Sequence, residues 1–133
     1  MIKATLHTDG GARGNPGPAG IGVVLEFSGQ KKYFKKFIGH ATNNQAEYQA
    51  VILGLEQAKQ LGADEVDVFL DSELVQQQLS GNYKVKNQDL ASLFVKVWNL
   101  QQGFKKVKYT HVYRTDNKEA DKLVNQAIDQ ELS

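Results

Sequence analysis

Two helices of this 133-residue chain carry a carboxylate on the stripe that has to face a core. Counting from Thr42 as N-cap, Glu47 is the fifth residue of a helix and aligns with Val51, Leu55 and Ala58 at helical spacing. Counting from Asp116, Asp121 is the fifth residue of another and aligns with Val124 and Ile128. The free backbone N–H groups of a helix belong to its first turn, so neither acid is placed to cap them. A carboxylate facing a core is costly unless it is paired or bound to metal. A buried ion pair would satisfy either acid, but the nearest lysines in sequence, Lys118 and Lys122, fall on other faces of the last helix.

Two further acids sit where strands end. Asp9 follows Leu6-His7-Thr8 and precedes Gly10-Gly11; Asp71 follows Val66 to Leu70 and precedes a helix. Taken alone, Asp9 fits a turn aspartate and Asp71 a helix N-cap. If the fold gathers all four, the cluster requires divalent metal to offset its repulsion. Oxygen ligands without cysteine or clustered histidine favour Mg²⁺ or Mn²⁺ over Zn²⁺. Two such ions about 4 Å apart clamp the attacking and leaving oxygens of a phosphodiester displacement. Asp64, Glu65, Asp67, Asp89, Asp129 and Glu131 read as solvated charge instead.

The pattern predicts strands over Ile2 to Asp9, Ala19 to Phe27 and Lys31 to Ile38. A Gly/Pro-rich loop, Gly10 to Pro18, joins the first two. The lysines of the third strand suit an exposed sheet edge. Thr42 with Gln45 is a capping-box signature for a helix from Asn43 to Leu61, and Gly62 stops it. A strand follows over Glu65 to Leu70, then a short helix over Ser72 to Leu79. A helix over Asn87 to Gln101 carries Leu90, Leu93, Phe94, Val97 and Trp98 on one stripe. Lys106 to Val112 is the last strand, and Asp116 with Glu119 opens the last helix. Three leading strands followed by strand–helix alternation predict a single α/β domain, 1–133. Its mixed sheet joins an antiparallel meander to parallel strands by helical crossovers. The binding crevice of such sheets lies beyond the carboxyl ends of the parallel strands, where Asp9 and Asp71 stand.

Composition narrows the partners. The net charge is +1, so any polyanion must be held by a local patch or by bound metal. No cysteine is present, which excludes disulfides and thiolate metal sites and fits a reducing compartment. Met1 to Leu6 lacks a signal-peptide pattern, and no apolar run approaches the ~20 residues of a membrane span. The expectation is a cytoplasmic monomer with no membrane association.

Five segments in register carry a resemblance: Thr8-Asp9-Gly10-Gly11, Gly14 to Gly20, Thr42 to Glu47, Leu70-Asp71-Ser72, and Asn117 to Leu123. Over essentially its whole length the chain resembles ribonuclease H type 1. The resemblance implies a ribonuclease H-like fold: a five-stranded mixed sheet with β1, β2 and β3 antiparallel, β4 and β5 parallel, and helices on both faces. It implies cleavage of the RNA strand of RNA–DNA hybrids to 5′-phosphate and 3′-hydroxyl ends with two Mg²⁺ ions, Mn²⁺ being a possible substitute. By that analogy Asp9 bridges both metals, Asp121 helps hold the one that activates water, and Glu47 and Asp71 hold the other. Asn15, Asn43 and Asn44 match positions facing the minor groove, where amides meet 2′-hydroxyls and base edges. The alternative for Asn43 and Asn44 is helix capping.

Two departures from the family stand out. Many members carry a histidine in the loop before the last helix. Here the loop is Val112 to Asp116, so Arg114 is expected to take that place as a partner of the scissile phosphate, while His111 falls in the last strand. Some members also insert a basic helical protrusion. Here only Ser80 to Lys86 connects the two helices, leaving Lys84 and Lys86, beside Tyr83, as reduced phosphate contacts. That minimal form predicts weak, salt-dependent hybrid binding. The rival reading is a weakly active or inactive relative that binds structured nucleic acid. A structural module with buried ion pairs is a third.

Overall fold

The computed structural model describes residues 1–133. Its elements are β1 (Lys3–Ala12), β2 (Gly17–Phe27), β3 (Gln30–Ala41), α1 (Asn43–Leu61), β4 (Glu65–Leu70), α2 (Glu73–Leu79), α3 (Gln88–Gln101), β5 (Lys106–His111) and α4 (Lys118–Leu132). One five-stranded sheet has the order β3-β2-β1-β4-β5. β1 runs antiparallel to β2, and β2 to β3, whereas β4 is parallel to both β1 and β5. The mixed sheet expected from the sequence is the one found.

The two faces of the sheet have different cores. Leu6, Val23, Leu25, Val66, Val68 and Leu70 point to the face covered by α1, where Tyr48, Val51 and Leu55 are fully buried against them. Leu90 and Val97 of α3 extend that cluster. Tyr48 donates a buried hydrogen bond to Gln78 Oε1 at 2.7 Å, tying α1 to α2. On the other face α4 lies on β1, β2 and β3. Gly22 makes that approach possible: a Cβ there would stand 2.5 Å from the Ala120 carbonyl oxygen and 2.7 Å from the Leu123 Cβ.

Several boundaries differ from expectation, each for a packing reason. β1 does not end at Asp9. Its pairing with β4 stops at Thr8↔Leu70, but Gly10, Gly11 and Ala12 go on pairing with β2. The glycines that read as a loop are strand residues at which helices come close, so the turn shrinks to the residues between Ala12 and Gly17. Asp116 does not open the last helix. Arg114–Asp116 form a 3-10 turn, and Asn117 is the N-cap of α4. The Asn117 amide donates to the Thr8 carbonyl at 2.9 Å, which fixes the helix start there and makes Asp121 the fourth helical residue. Trp98 leaves the core stripe of α3 and is 54% exposed, while Val97 takes the buried position. The Thr42–Gln45 capping box and the Gly62 stop form as read.

Because Gly22 admits α4 with no space to spare, Gly22→Ala is expected to cost about 2 kcal/mol or more by urea denaturation, the range for overpacked interiors. A loss below about 0.5 kcal/mol would show that α4 can lift without consequence.

Candidate active site

The fold brings three of the four acids together. Asp9, Glu47 and Asp71 each present a carboxylate oxygen within 4.8 Å of the others. They arrive from three separate elements, beside the point where the β1–β4 pairing stops at Thr8↔Leu70. Asp9 is the next residue of β1 and, paired with Gly22, points to the α4 face. Asp71 is the next residue after β4. It is not a helix cap, because Ser72 caps α2 by accepting from the Val75 N–H. Glu47 comes from α1 on the opposite face.

Gly10 lets Glu47 reach them. A Cβ on Gly10 would lie 2.2 Å from the Ala46 carbonyl carbon and oxygen and 2.6 Å from the Glu47 nitrogen. The α1 backbone therefore rests directly on β1. Small buried residues, Ala19, Ala41, Ala46 and Ala50, lower this end of the helix onto the sheet. The Gly10 N–H then donates to Glu47 Oε1 at 3.0 Å. The second oxygen, Oε2, is buried without a hydrogen-bond partner. Such an orphan acceptor in a carboxylate cluster is what a cation ligand looks like when the cation is not counted.

Electrostatics follow the burial. Asp9 is 6% exposed and Glu47 5%. Burial, with the Asp71 and Asp121 charges adding to it, pushes the Asp9 carboxyl up to about 7, although the adjacent Glu47 carboxyl works in the other direction. Glu47 is raised well above its ordinary value by burial first, then by the adjacent Asp9 carboxyl; the Gly10 N–H partly offsets this. Asp71 is also raised by burial, against the lowering effects of the Asn117 amide and the Arg114 guanidinium. Burial thus disfavours the charged carboxylates, and the positive charge that would offset this is what divalent cations would supply. The all-oxygen donor set suits Mg²⁺ or Mn²⁺.

Asp121 stands at the rim. It lines the same cleft, about 430 Å³ in volume, but lies outside the tight group of three. Arg114 Nη2 approaches Asp121 Oδ1 at 3.4 Å, with the two side chains 78% and 31% exposed. Arg114 thus lies in the cleft wall as the sequence suggested, in the 3-10 turn. His111 ends β5, edge-on to Tyr113. Asn44 also lines the cleft. Asn43 lines it too and is bonded to Asn15 beside it: Asn43 Oδ1 accepts from the Ala12 N–H at 2.8 Å, and Asn15 Oδ1 accepts from the Asn43 N–H at 3.0 Å. Asn43 does not cap its own helix, which Thr42 does. Lys84 and Lys86 are exposed in the connection between α2 and α3, away from the cleft lining. That connection, Ser80 to Asn87, contains no inserted helix.

Two contributors escaped the residue-by-residue reading. Asn117 is 2% exposed and ties the start of α4 to β1 next to Asp71. It stood in the sequence only as part of a motif. The Gly10 amide is a backbone donor, for which no side-chain pattern exists.

Comparison with known proteins identifies the family of this fold. The model of the reverse transcriptase-like family matches residues 7–127. The bifunctional protein Rv2228c of Mycobacterium tuberculosis is 46% identical over 131 residues, covering 96% of this chain and 36% of that protein. Ribonuclease HI of Halobacterium salinarum is 44% identical over 130 residues, covering 96% of this chain and 65% of that protein. The chain thus spans about a third of the mycobacterial relative and under two-thirds of the archaeal one. The solved structure of LC11-RNase H1 in complex with RNA/DNA hybrid is 43% identical, with a TM-score of 0.92 over 98% of this chain and 99% of that one. The fold and its acidic cleft thus define a reverse transcriptase-like domain. Within that class, the chain belongs to the ribonuclease H type 1 family.

The raised Asp9 carboxyl has a stability consequence in the metal-free protein. Between its ordinary value of 3.8 and about 7, the folded protein keeps a proton that the unfolded chain releases. The stability this contributes is therefore fully present below about pH 4 and lost as pH rises through about 7. Asp9→Asn removes the effect. In chelator-treated protein the variant should match the parent near pH 4 and exceed it by a few kcal/mol, to order of magnitude, at pH 7.5. Urea denaturation at both pH values checks this, and a variant less stable than the parent at pH 7.5 contradicts it.

Proposed function

We propose that this protein is an endoribonuclease that cleaves the RNA strand of RNA–DNA hybrids by metal-dependent hydrolysis, leaving 5′-phosphate and 3′-hydroxyl ends. The observation that carries the reading is the convergence of Asp9, Glu47 and Asp71, two of them buried, within 4.8 Å of one another. Such a cluster has no structural use without cations. Asp9 and Glu47 form the buried share of the donor set, and Asp71 and Asp121 the half-buried share. Bound there, two Mg²⁺ ions would supply a water of lowered pKa and positive charge for the leaving 3′-oxygen. The bond formed is water oxygen to phosphorus, and the bond broken is phosphorus to O3′.

The chain's own residues orient the strand. The amide oxygens of Asn15 and Asn43 are committed to backbone N–H groups, so their –NH₂ donors remain for 2′-hydroxyls and base edges in the minor groove. Asn44 extends that row. The 2′-hydroxyl is what separates an RNA strand from DNA at such a site. Arg114 sits beside Asp121, where a guanidinium offsets charge on the scissile phosphate. Lys84 and Lys86 add backbone contacts on the α2–α3 connection. The solved LC11-RNase H1 complex with RNA/DNA hybrid supports this substrate class by likeness.

Labelled RNA–DNA hybrid with Mg²⁺ tests the reading. The parent should cut the RNA strand, leave a DNA duplex of the same sequence intact, and stop when Asp71→Asn replaces it, with at least about a hundredfold loss. Binding without metal-dependent cleavage by the parent would leave the rival, an inactive hybrid-binding relative. Arg114→Ala should slow turnover at saturating hybrid by roughly tenfold or more; an unchanged rate removes Arg114 from the mechanism.

A further inference from the structure

Two guanidinium groups line the acidic cleft, and only Arg114 is near the reacting end. The other, Arg13, follows β1 four residues beyond Asp9. Its backbone N–H donates to the Pro18 carbonyl at 2.8 Å, which closes the glycine-rich turn. Its side chain crosses to α4: Nη1 pairs with Asp129 at 2.6 Å, and Nη2 donates to Asn125 Oδ1 at 3.3 Å. Asn125 in turn donates to the Asp121 carbonyl at 3.1 Å. Arg13 is thereby held in one orientation over the end of the cleft.

A purely structural role explains this arrangement poorly. The side chains of Arg13 and Asp129 are 41% and 64% exposed, and ion pairs so exposed contribute little to stability. A guanidinium carries more N–H donors than these two contacts use, and its planar fork suits a phosphate. At about 3.3 Å per strand residue, Arg13 lies roughly 13 Å along the chain from Asp9. A nucleic-acid strand presents a phosphate about every 3.4 Å of its axis, so one whose scissile phosphate meets Asp9 passes Arg13 within a few nucleotides. The chain has a net charge of only +1, so such local contacts must do the holding.

We propose that Arg13 is a phosphate-binding residue for the strand lying in the cleft, its guanidinium resting on Asp129 and Asn125 of α4 until a phosphate takes it. The inference rests on the ribonuclease H reading and adds a contact to it. Asp129 is then a placeholder anion that the phosphate joins or displaces, which separates this role from a clamp between turn and helix.

The test is steady-state hybrid cleavage with Mg²⁺ at salt concentrations from low to moderate, for the parent, Arg13→Ala, Arg13→Lys and Asp129→Ala, each confirmed folded by its thermal melt. Arg13→Ala should raise KM about tenfold at moderate salt with kcat within about twofold, and lower the slope of log KM against log salt by about one. Arg13→Lys should keep the slope. Asp129→Ala should keep or lower KM. Cleavage by the parent with an unchanged slope in Arg13→Ala overturns this inference alone. So does a rise in KM for Asp129→Ala that equals that of Arg13→Ala, which marks a clamp. Absence of cleavage by the parent overturns the ribonuclease H reading, and this inference with it.

Discussion

The site depends on one close approach, that of α1 to β1 at Gly10. There the helix backbone lies against the strand with no room for a Cβ, and the Gly10 N–H holds Glu47 Oε1. Glu47 belongs to a helix on one face of the sheet, whereas Asp9 points to the other. Only where the strand carries no side chain can the glutamate pass beside it to the aspartate. The small residues beneath the start of α1 serve the same geometry, since larger ones would raise the helix and withdraw the carboxylate.

Once gathered, the acids define their own chemistry. Burial makes ionisation of Asp9 and Glu47 expensive, and the charges of neighbouring acids add to the cost: Asp71 and Asp121 for Asp9, Asp9 and Asp71 for Glu47. The fold accepts this local cost because the rest of the molecule over-determines it: a core of leucine, valine and tyrosine behind Glu47, the β2 strand paired with Asp9 on one side, and Asn117 fixing α4 to β1. Stability is thus sacrificed at the point where positive charge is to be received. The residues around it, Asp121, Arg114, Asn44 and Arg13, line an open cleft rather than a closed pocket.

How much of this was legible in the sequence differs from residue to residue. Glu47 was legible because a carboxylate on an apolar helical stripe, past the capping turn, has few excuses. Asp71 was ambiguous until Ser72 proved to be the cap. Asp9 was assigned to a strand end because glycines read as loop, whereas here Gly10 and Gly11 are strand residues under helices. Propensity cannot see a neighbour that arrives from elsewhere in the chain. The same blindness put Asp116 at the helix start, since the buried bond from Asn117 to Thr8 spans more than a hundred residues. Trp98 was counted into the core by spacing alone, but α3 is covered on one side only and leaves it outside. The sheet order itself was accessible because three leading strands and two crossover helices admit few arrangements.

Divalent cations are expected to displace the proton that burial keeps on Asp9. Titrating Mn²⁺ into metal-free protein near pH 6, in buffers of differing ionisation enthalpy, measures this directly as protons released per ion bound. Release approaching one proton per site is expected near pH 6, declining above about pH 8 as Asp9 ionises unaided. Tight binding with no proton release near pH 6, or no binding at all, would contradict it.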